Sequence, residues 1–290
     1  MPGIGWRYVT STRQPTHLLF GYSRGVMRHE LLRRLHALAR PRNYLEIGVG
    51  DGRSLTLSRV PSVAVDPAFE VTKEQRCDLH LVRATSDDFF ARPDPINHLR
   101  SSRNPFKNVR RGRPLFGHYV GRTTVDLVFI DGLHLAEFAL RDFMNVERFA
   151  HWGSTIVFDD MLPRDIDEAA RDRHTIDWTG DVYKVRAVLR QYRPDLTLIL
   201  LDTAPTGTLV VFGANPGNTA LTENYERIQR DLIVEDPQPV PASVLDRRDA
   251  VAAEALLDAP FWRNLVRDRN RGASRAGYDR LRPRFAPLVR

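Results

Sequence analysis

Apolar residues fall along this chain in short, nearly unbroken runs, and most runs end on a glycine or an acid. Residues 44–47 (YLEI), 63–65 (VAV), 79–84 (LHLVRA), 127–130 (LVFI), 155–158 (TIVF), 196–202 (LTLILLD) and 207–213 (GTLVVFG) are the expected strands. Runs of this kind suit strands buried on both faces, as in a parallel sheet covered by helices. Between them, apolar positions recur at helical spacing: Leu31, Leu32, Leu35 and Leu38 within 26–39, Phe138, Phe143 and Val146 within 136–149, and Val182, Val185, Val188 and Leu189 within 180–192. A further helix is expected over 53–59. The last two strands, joined by the turn residues Thr203 to Thr206, read as an antiparallel pair. The alternation predicts an α/β fold: a seven-stranded, mostly parallel sheet with helices on both faces and an antiparallel last strand.

In such a sheet, ligands bind beyond the carboxyl ends of the strands. Here those ends carry Gly48, Gly50 and Gly52 after the first strand, Asp66 after the second, Asp131 after the fourth, and Asp159 with Asp160 after the fifth. The glycines permit positive φ and a close approach of ligand to backbone, and an acid about 20 residues further on suits the two hydroxyls of a ribose. The dinucleotide fingerprint G-x-G-x-x-G fails here, because its sixth position is Arg53.

The run is instead E-x-G-x-G-x-G, which resembles motif I of the class I S-adenosylmethionine (SAM)-dependent methyltransferases. The resemblance spans about residues 31–213 and implies a Rossmann-like fold with SAM as cofactor. It implies Glu46 near the methionine end, Gly48, Gly50 and Gly52 beneath the ligand, and Asp66 on the ribose. Ser86 or Asp87, after the third strand, would meet the adenine; either also serves as a helix N-cap ahead of Phe89 and Phe90.

Asp131, Asp159 and Asp160 are expected from neighbouring strand ends, where three carboxylates repel one another unless a cation sits between them. A hard divalent ion such as Mg²⁺ takes oxygen ligands and keeps sites open for a substrate hydroxyl. His134, three residues after Asp131, is a candidate base for that hydroxyl. Together these residues resemble the metal-dependent small-molecule and sugar O-methyltransferases, in which Asp131, Asp159 and Asp160 would be metal ligands and Asp131 and His134 the catalytic pair. The bland readings are helix capping by the aspartates and a structural role for the histidine.

Composition narrows the alternatives. A single cysteine, Cys77, leaves no intramolecular disulfide and no cysteine metal cluster. No run approaches 18 apolar residues, so a cytoplasmic protein with no membrane partner is expected. The net charge of +7 is carried almost wholly by arginine, since lysine occurs only at positions 73, 107 and 184. Residues 1–25 read as a lead-in segment, 26–213 as the methyltransferase domain, 92–122 as a basic insertion within it, and 214–290 as a linker, a helical extension and a basic tail. One expected helix there covers 247–258, and the tail reads as a basic arm or a flexible end.

The favoured function is O-methylation of a small hydroxylated acceptor. Nucleic acid is the weaker partner: an RNA methyltransferase would use the basic loop and tail, but regular aromatic interleaving is missing. A nucleoside-binding or scaffold protein with the same fold is the non-enzymatic alternative.

Overall fold

The computed structural model describes residues 25–100 and 123–290. The expected lead-in segment and most of the basic insertion lie outside these residues. Seven strands form one sheet: β1 (Tyr44–Ile47), β2 (Ser62–Val65), β3 (Leu79–Val82), β4 (Leu127–Ile130), β5 (Thr155–Phe158), β6 (Thr197–Leu201) and β7 (Thr208–Phe212). Their order across the sheet is β3-β2-β1-β4-β5-β7-β6. The pairs among β1 to β5 are parallel, while β7 runs antiparallel to both β5 and β6. The predicted α/β class, strand count and antiparallel close are all present.

Alternation along the strands divides the core into two layers. On one face Leu45, Ile47, Val63, Val128, Ile130, Ile156 and Phe158 meet α2 (Ser86–Phe90), α3 (Ala136–Glu147), α4 (Lys184–Tyr192) and α5 (Ala220–Leu232). On the other, Tyr44, Ala64, Leu127, Phe129, Val157, Val210 and Phe212 meet α1 (Arg28–Ala39) and the C-terminal segment. Among the described residues no helix is long and apolar enough to cross a membrane.

Three expectations are corrected. Residues 53–59 do not form an α-helix: only a 3₁₀ turn, Leu55–Leu57, follows the glycines, and Ser58 is already extended. Pro61 disfavours helical backbone at Val60, and β2 begins at Ser62, so the chain has no room for a longer helix. Residues 247–258 are likewise not one helix. They lie between α6 (Ala242–Leu245) and the end of α7 (Ala253–Leu257), with Arg247 at φ +53°. Val251 is drawn out as an extended residue, its N–H donating to Leu200 O and its carbonyl accepting from Asp202 N, both at 2.9 Å. This contact covers the open edge of β6.

The third correction concerns the tail, which is neither an arm nor flexible. It forms α8 (Trp262–Asn270) and α9 (Arg275–Phe285), which bury Phe261, Trp262, Leu265, Tyr278, Leu281 and Phe285 against the sheet. Phe285 stacks on Phe212 of β7 at 4.9 Å between ring centres. Arg269 is buried and donates to the carbonyls of Ala39 and Arg40, tying α8 to the end of α1.

Candidate active site

Strand register brings the expected site residues to one level. Ile47 pairs with Val65 on one side and with Ile130 on the other, and Ile130 pairs with Phe158. The next residue of each strand is therefore Gly48, Asp66, Asp131 or Asp159, four neighbours along a single sheet edge. Above this edge lies a cavity of about 640 Å³, lined among others by Gly50, Asp66, Ser86, Asp131, His134 and Phe138. That volume suits a cofactor or small substrate.

The glycine turn is held from two sides. Gly48 has φ +84°, and a Cβ there would lie 1.7 Å from the carbonyl oxygen of Asp131. No other residue fits without moving β4. Asp66 accepts from the N–H groups of Val49 (2.7 Å) and Gly50 (3.0 Å) with one oxygen and from Ala68 N (2.6 Å) with the other. It thus braces the turn while facing the cavity.

Glu46 departs from its expected position. It is fully buried beneath the turn and is not among the cavity-lining residues; it accepts from the hydroxyls of Tyr44 and Ser54, both at 2.6 Å. Burial pushes its carboxyl up to about 8, against the two hydrogen bonds. In this arrangement its link to the cavity is Ser54, which lines the wall.

Ser86 and Asp87 both line the cavity, at the start of α2. The N-cap of that helix is Thr85, which accepts from Asp88 N. Ser86 donates to the carboxylate of Asp142, a buried residue of α3 that sequence reasoning missed. Burial raises the Asp142 carboxyl to about 7. Asp87 is engaged by Arg141, at 2.6 Å from Nη2, and by Asn145.

At the other end of the cavity stands the acidic cluster. His134 Nδ1 lies 2.7 Å from the carbonyl oxygen of Trp178, and the two rings stack at 5.1 Å. A carbonyl only accepts, so Nδ1 carries a proton and Nε2 faces the acids. Nε2 is 3.3 Å from Asp131 Oδ1 and 3.2 Å from Asp160 Oδ2. The other oxygen of Asp160 accepts from Thr206 Oγ1 at 2.6 Å. Asp160 itself sits at φ +58°, a region aspartate enters more readily than most residues.

Burial, and then mutual repulsion, raise the carboxyls of Asp131, Asp159 (to about 7) and Asp160 (to about 6). His134 moves up to about 9: burial opposes its charge, but the hydrogen bond and charge of Asp131 and the charge of Asp160 outweigh it. In this arrangement the imidazole holds its proton at neutral pH.

The donor set suits a divalent cation in part. Ligand atoms of Asp131, His134 and Asp160 all lie within 4.8 Å of one another, two hard oxygens and one imidazole nitrogen. Asp159, expected as the third carboxylate ligand, belongs to a different contact. It pairs with Arg28 Nη1, which also lies 3.5 Å from Asp131 Oδ2. Arg28 and Trp178 were missed because nothing in their local sequence sets them apart; only the packing of α1 and of residues 164–181 against the strand ends brings them in.

Residues 45–161 match the model of a family described as "Methyltransferase domain". No curated protein matches the chain. Among solved structures, a Bacillus cereus O-methyltransferase in complex with S-adenosylhomocysteine (SAH) aligns at 13% identity and a TM-score of 0.42, covering 64% of this chain and 80% of that one. Cofactor-bound Rv0187 from MTB aligns at 17% identity and 0.43, covering 65% and 80%. The O-methyltransferase TomG from Streptomyces achromogenes, in complex with SAM, aligns at 16% and 0.37, covering 65% and 80%. The family match coincides with the glycine turn, the acids at the ends of β1, β2, β4 and β5, and the cavity between them. Over residues 45–161, which contribute five strands to the seven-stranded sheet, the chain is similar to that methyltransferase-domain family.

Proposed function

We propose that the protein transfers the methyl group of SAM to a hydroxyl oxygen of a small acceptor, with a divalent cation held at the acidic cluster. The observation that carries this reading is the convergence, in one cavity, of the glycine turn with Asp66 and of Asp131 and His134, with Asp160 grouped behind them. The nucleoside would lie over Gly48, Gly50 and Gly52, its ribose toward Asp66 and its adenine toward Ser86 and Asp142. The acceptor would enter beside His134.

The transfer forms a C–O bond as the methyl C–S bond breaks, and SAH leaves as a neutral thioether. The acceptor's proton needs a destination, and His134 Nε2 is the candidate, with Trp178 holding the ring in one tautomer. Asp131, Asp159 and Asp160 are the candidate metal ligands; His134 is an alternative donor in place of Asp159, in which case its Nε2 no longer takes the proton. When bound, a divalent cation would lower the pKa of the acceptor hydroxyl and offset the negative charge that keeps His134 protonated. The mixed oxygen and nitrogen donor set favours Mn²⁺ alongside Mg²⁺.

The RNA reading loses a free basic arm, since the tail packs on the sheet with Arg269 buried, its other arginines staying exposed, while the cavity beside the glycine turn has the size of a small-molecule site. The small-acceptor reading is therefore preferred. The test is calorimetric titration with SAH, comparing the unmodified protein with Asp66→Ala, with and without Mg²⁺. Binding that weakens at least about tenfold in the variant supports the pocket. Absence of SAH binding in both metal conditions would sink the reading and favour a scaffold.

A further inference from the structure

Arg28 is the first residue of α1, and its side chain lines the catalytic cavity rather than pointing away from the sheet. Its position is anchored: the Arg28 N–H donates to Ala204 O at 3.0 Å, and Ala204 N donates to Val26 O at 3.0 Å, so the entry to α1 is laced to the β6–β7 connection. From there Nη1 reaches the carboxylates of Asp159 and Asp131 together. The Asp159 side chain is 2% exposed, so the guanidinium is the cation on an otherwise buried charge.

A guanidinium keeps its charge at any pH the fold survives. It therefore leaves two carboxylates only by moving, and it repels a divalent cation approaching the same oxygens. We propose that Arg28 is a resident counter-ion of the acidic cluster, which holds Asp131 and Asp159 together before metal arrives and competes with the metal for them. The inference rests on the metal-assisted reading above. It makes Arg28 a positioning residue that sets how tightly the site takes a cation, with no contact to the transferred methyl group required.

The test uses Mn²⁺ as probe. Its dissociation constant is measured by electron paramagnetic resonance on the full chain, with SAH present, for the unmodified protein, Arg28→Gln and Arg28→Lys. Thermal midpoints are recorded in EDTA and in Mn²⁺. Arg28→Gln is expected to bind Mn²⁺ roughly ten- to a hundredfold more tightly, because one positive charge has left two carboxylates. It should melt below the unmodified protein in EDTA and recover in Mn²⁺, and Arg28→Lys should lie between the two. Should Arg28→Gln not fold, the lysine variant carries the comparison, with tighter Mn²⁺ binding expected from its shorter reach. Equal or weaker Mn²⁺ binding in folded variants overturns the competition while leaving the metal reading standing. Failure of every form, the unmodified protein included, to bind Mn²⁺ removes the metal reading and this proposal with it.

Discussion

Replacing Asp126 with asparagine isolates the forces at the base of the sheet from those at the edge beneath the cavity. Asp126 immediately precedes β4 and is 1% exposed. One oxygen accepts from Arg42 N (2.7 Å) and Arg42 Nε (2.8 Å), with Arg269 Nε at 3.5 Å; the other accepts from Arg42 Nη2 and meets His151 Nε2, both at 2.8 Å. These partners hold its carboxyl far below the usual range, although burial pushes the other way. Asparagine has the same shape but one oxygen, so its amide NH₂ must face donors on one side. Removing the charged partner of a buried network costs about 3–5 kcal/mol. For a chain of this size the thermal midpoint should fall by about 5–8 °C.

The pH dependence supplies a second readout. A carboxylate with a depressed folded pKa stabilises the fold fully above its unfolded pKa of about 4, and that contribution is lost as pH falls through the folded value. Denaturant titrations of the unmodified protein between pH 7 and 3 should therefore lose stability more steeply below about pH 4 than those of Asp126→Asn. Asp126 and Asp131 flank β4 at opposite ends, about 16 Å apart at strand rise, so SAH affinity should stay unchanged. A loss below about 1 kcal/mol at pH 7, or parallel acid profiles, would refute the assignment of a charged hub.

The other predictions follow from single contacts. Gly48→Ala should abolish SAH binding and destabilise the fold by about 4 kcal/mol or more, since its methyl meets the Asp131 carbonyl; a folded variant with normal SAH affinity would contradict that geometry. Asp131→Ala, or EDTA added to the unmodified protein, should eliminate methyl transfer to hydroxylated acceptors while SAH still binds; full turnover in EDTA would remove the metal from the mechanism. His36 packs edge-on against Tyr44 with Nε2 buried and unpartnered, and burial lowers its pKa to about 4. The unfolded chain takes that proton near 6.5 and the folded chain does not, so up to about 3 kcal/mol is lost as pH falls from 6.5 to 4. His36→Phe should flatten this segment of the stability profile, and an unchanged slope would assign it to another group.

The strand ends were legible because each combines an apolar run with an abrupt acid or glycine: VFID, VFDD and AVD announce where the sheet stops and chemistry begins. Asp66, Asp131 and His134 reach the cavity for that reason, and Asp160 stands beside them. Glu46 was legible as the acid of the motif but not as a buried brace, because its partners Tyr44 and Ser54 declare themselves only in three dimensions. Arg28 sits in an ordinary amphipathic helix, RHELLRRLHALA, where one more arginine carries no local signal. The C-terminal helices were obscured differently. Nine arginines suggested a solvated arm, yet Phe261, Trp262, Leu265, Tyr278, Leu281 and Phe285 recur at helical spacing beneath them. Long arginine stems lie along such a surface while their heads stay in water, so a high charge count does not exclude a packed face.

That packed face has a consequence for biosynthesis. The layer of β1, β4, β5 and β7 that carries Tyr44, Leu127, Val157 and Phe212 is sealed by residues beyond 260, and Arg269 joins a segment made 230 residues earlier. A ribosome that has delivered every cavity-lining residue has therefore still not delivered the part of this layer's cover that α1 leaves open. The nascent domain must wait with an apolar sheet face exposed, a state that aggregates readily and that chaperones bind. Truncation before α8 should thus yield insoluble protein although the cavity residues are all present, and the yield of active enzyme should depend on how fast the last helices follow.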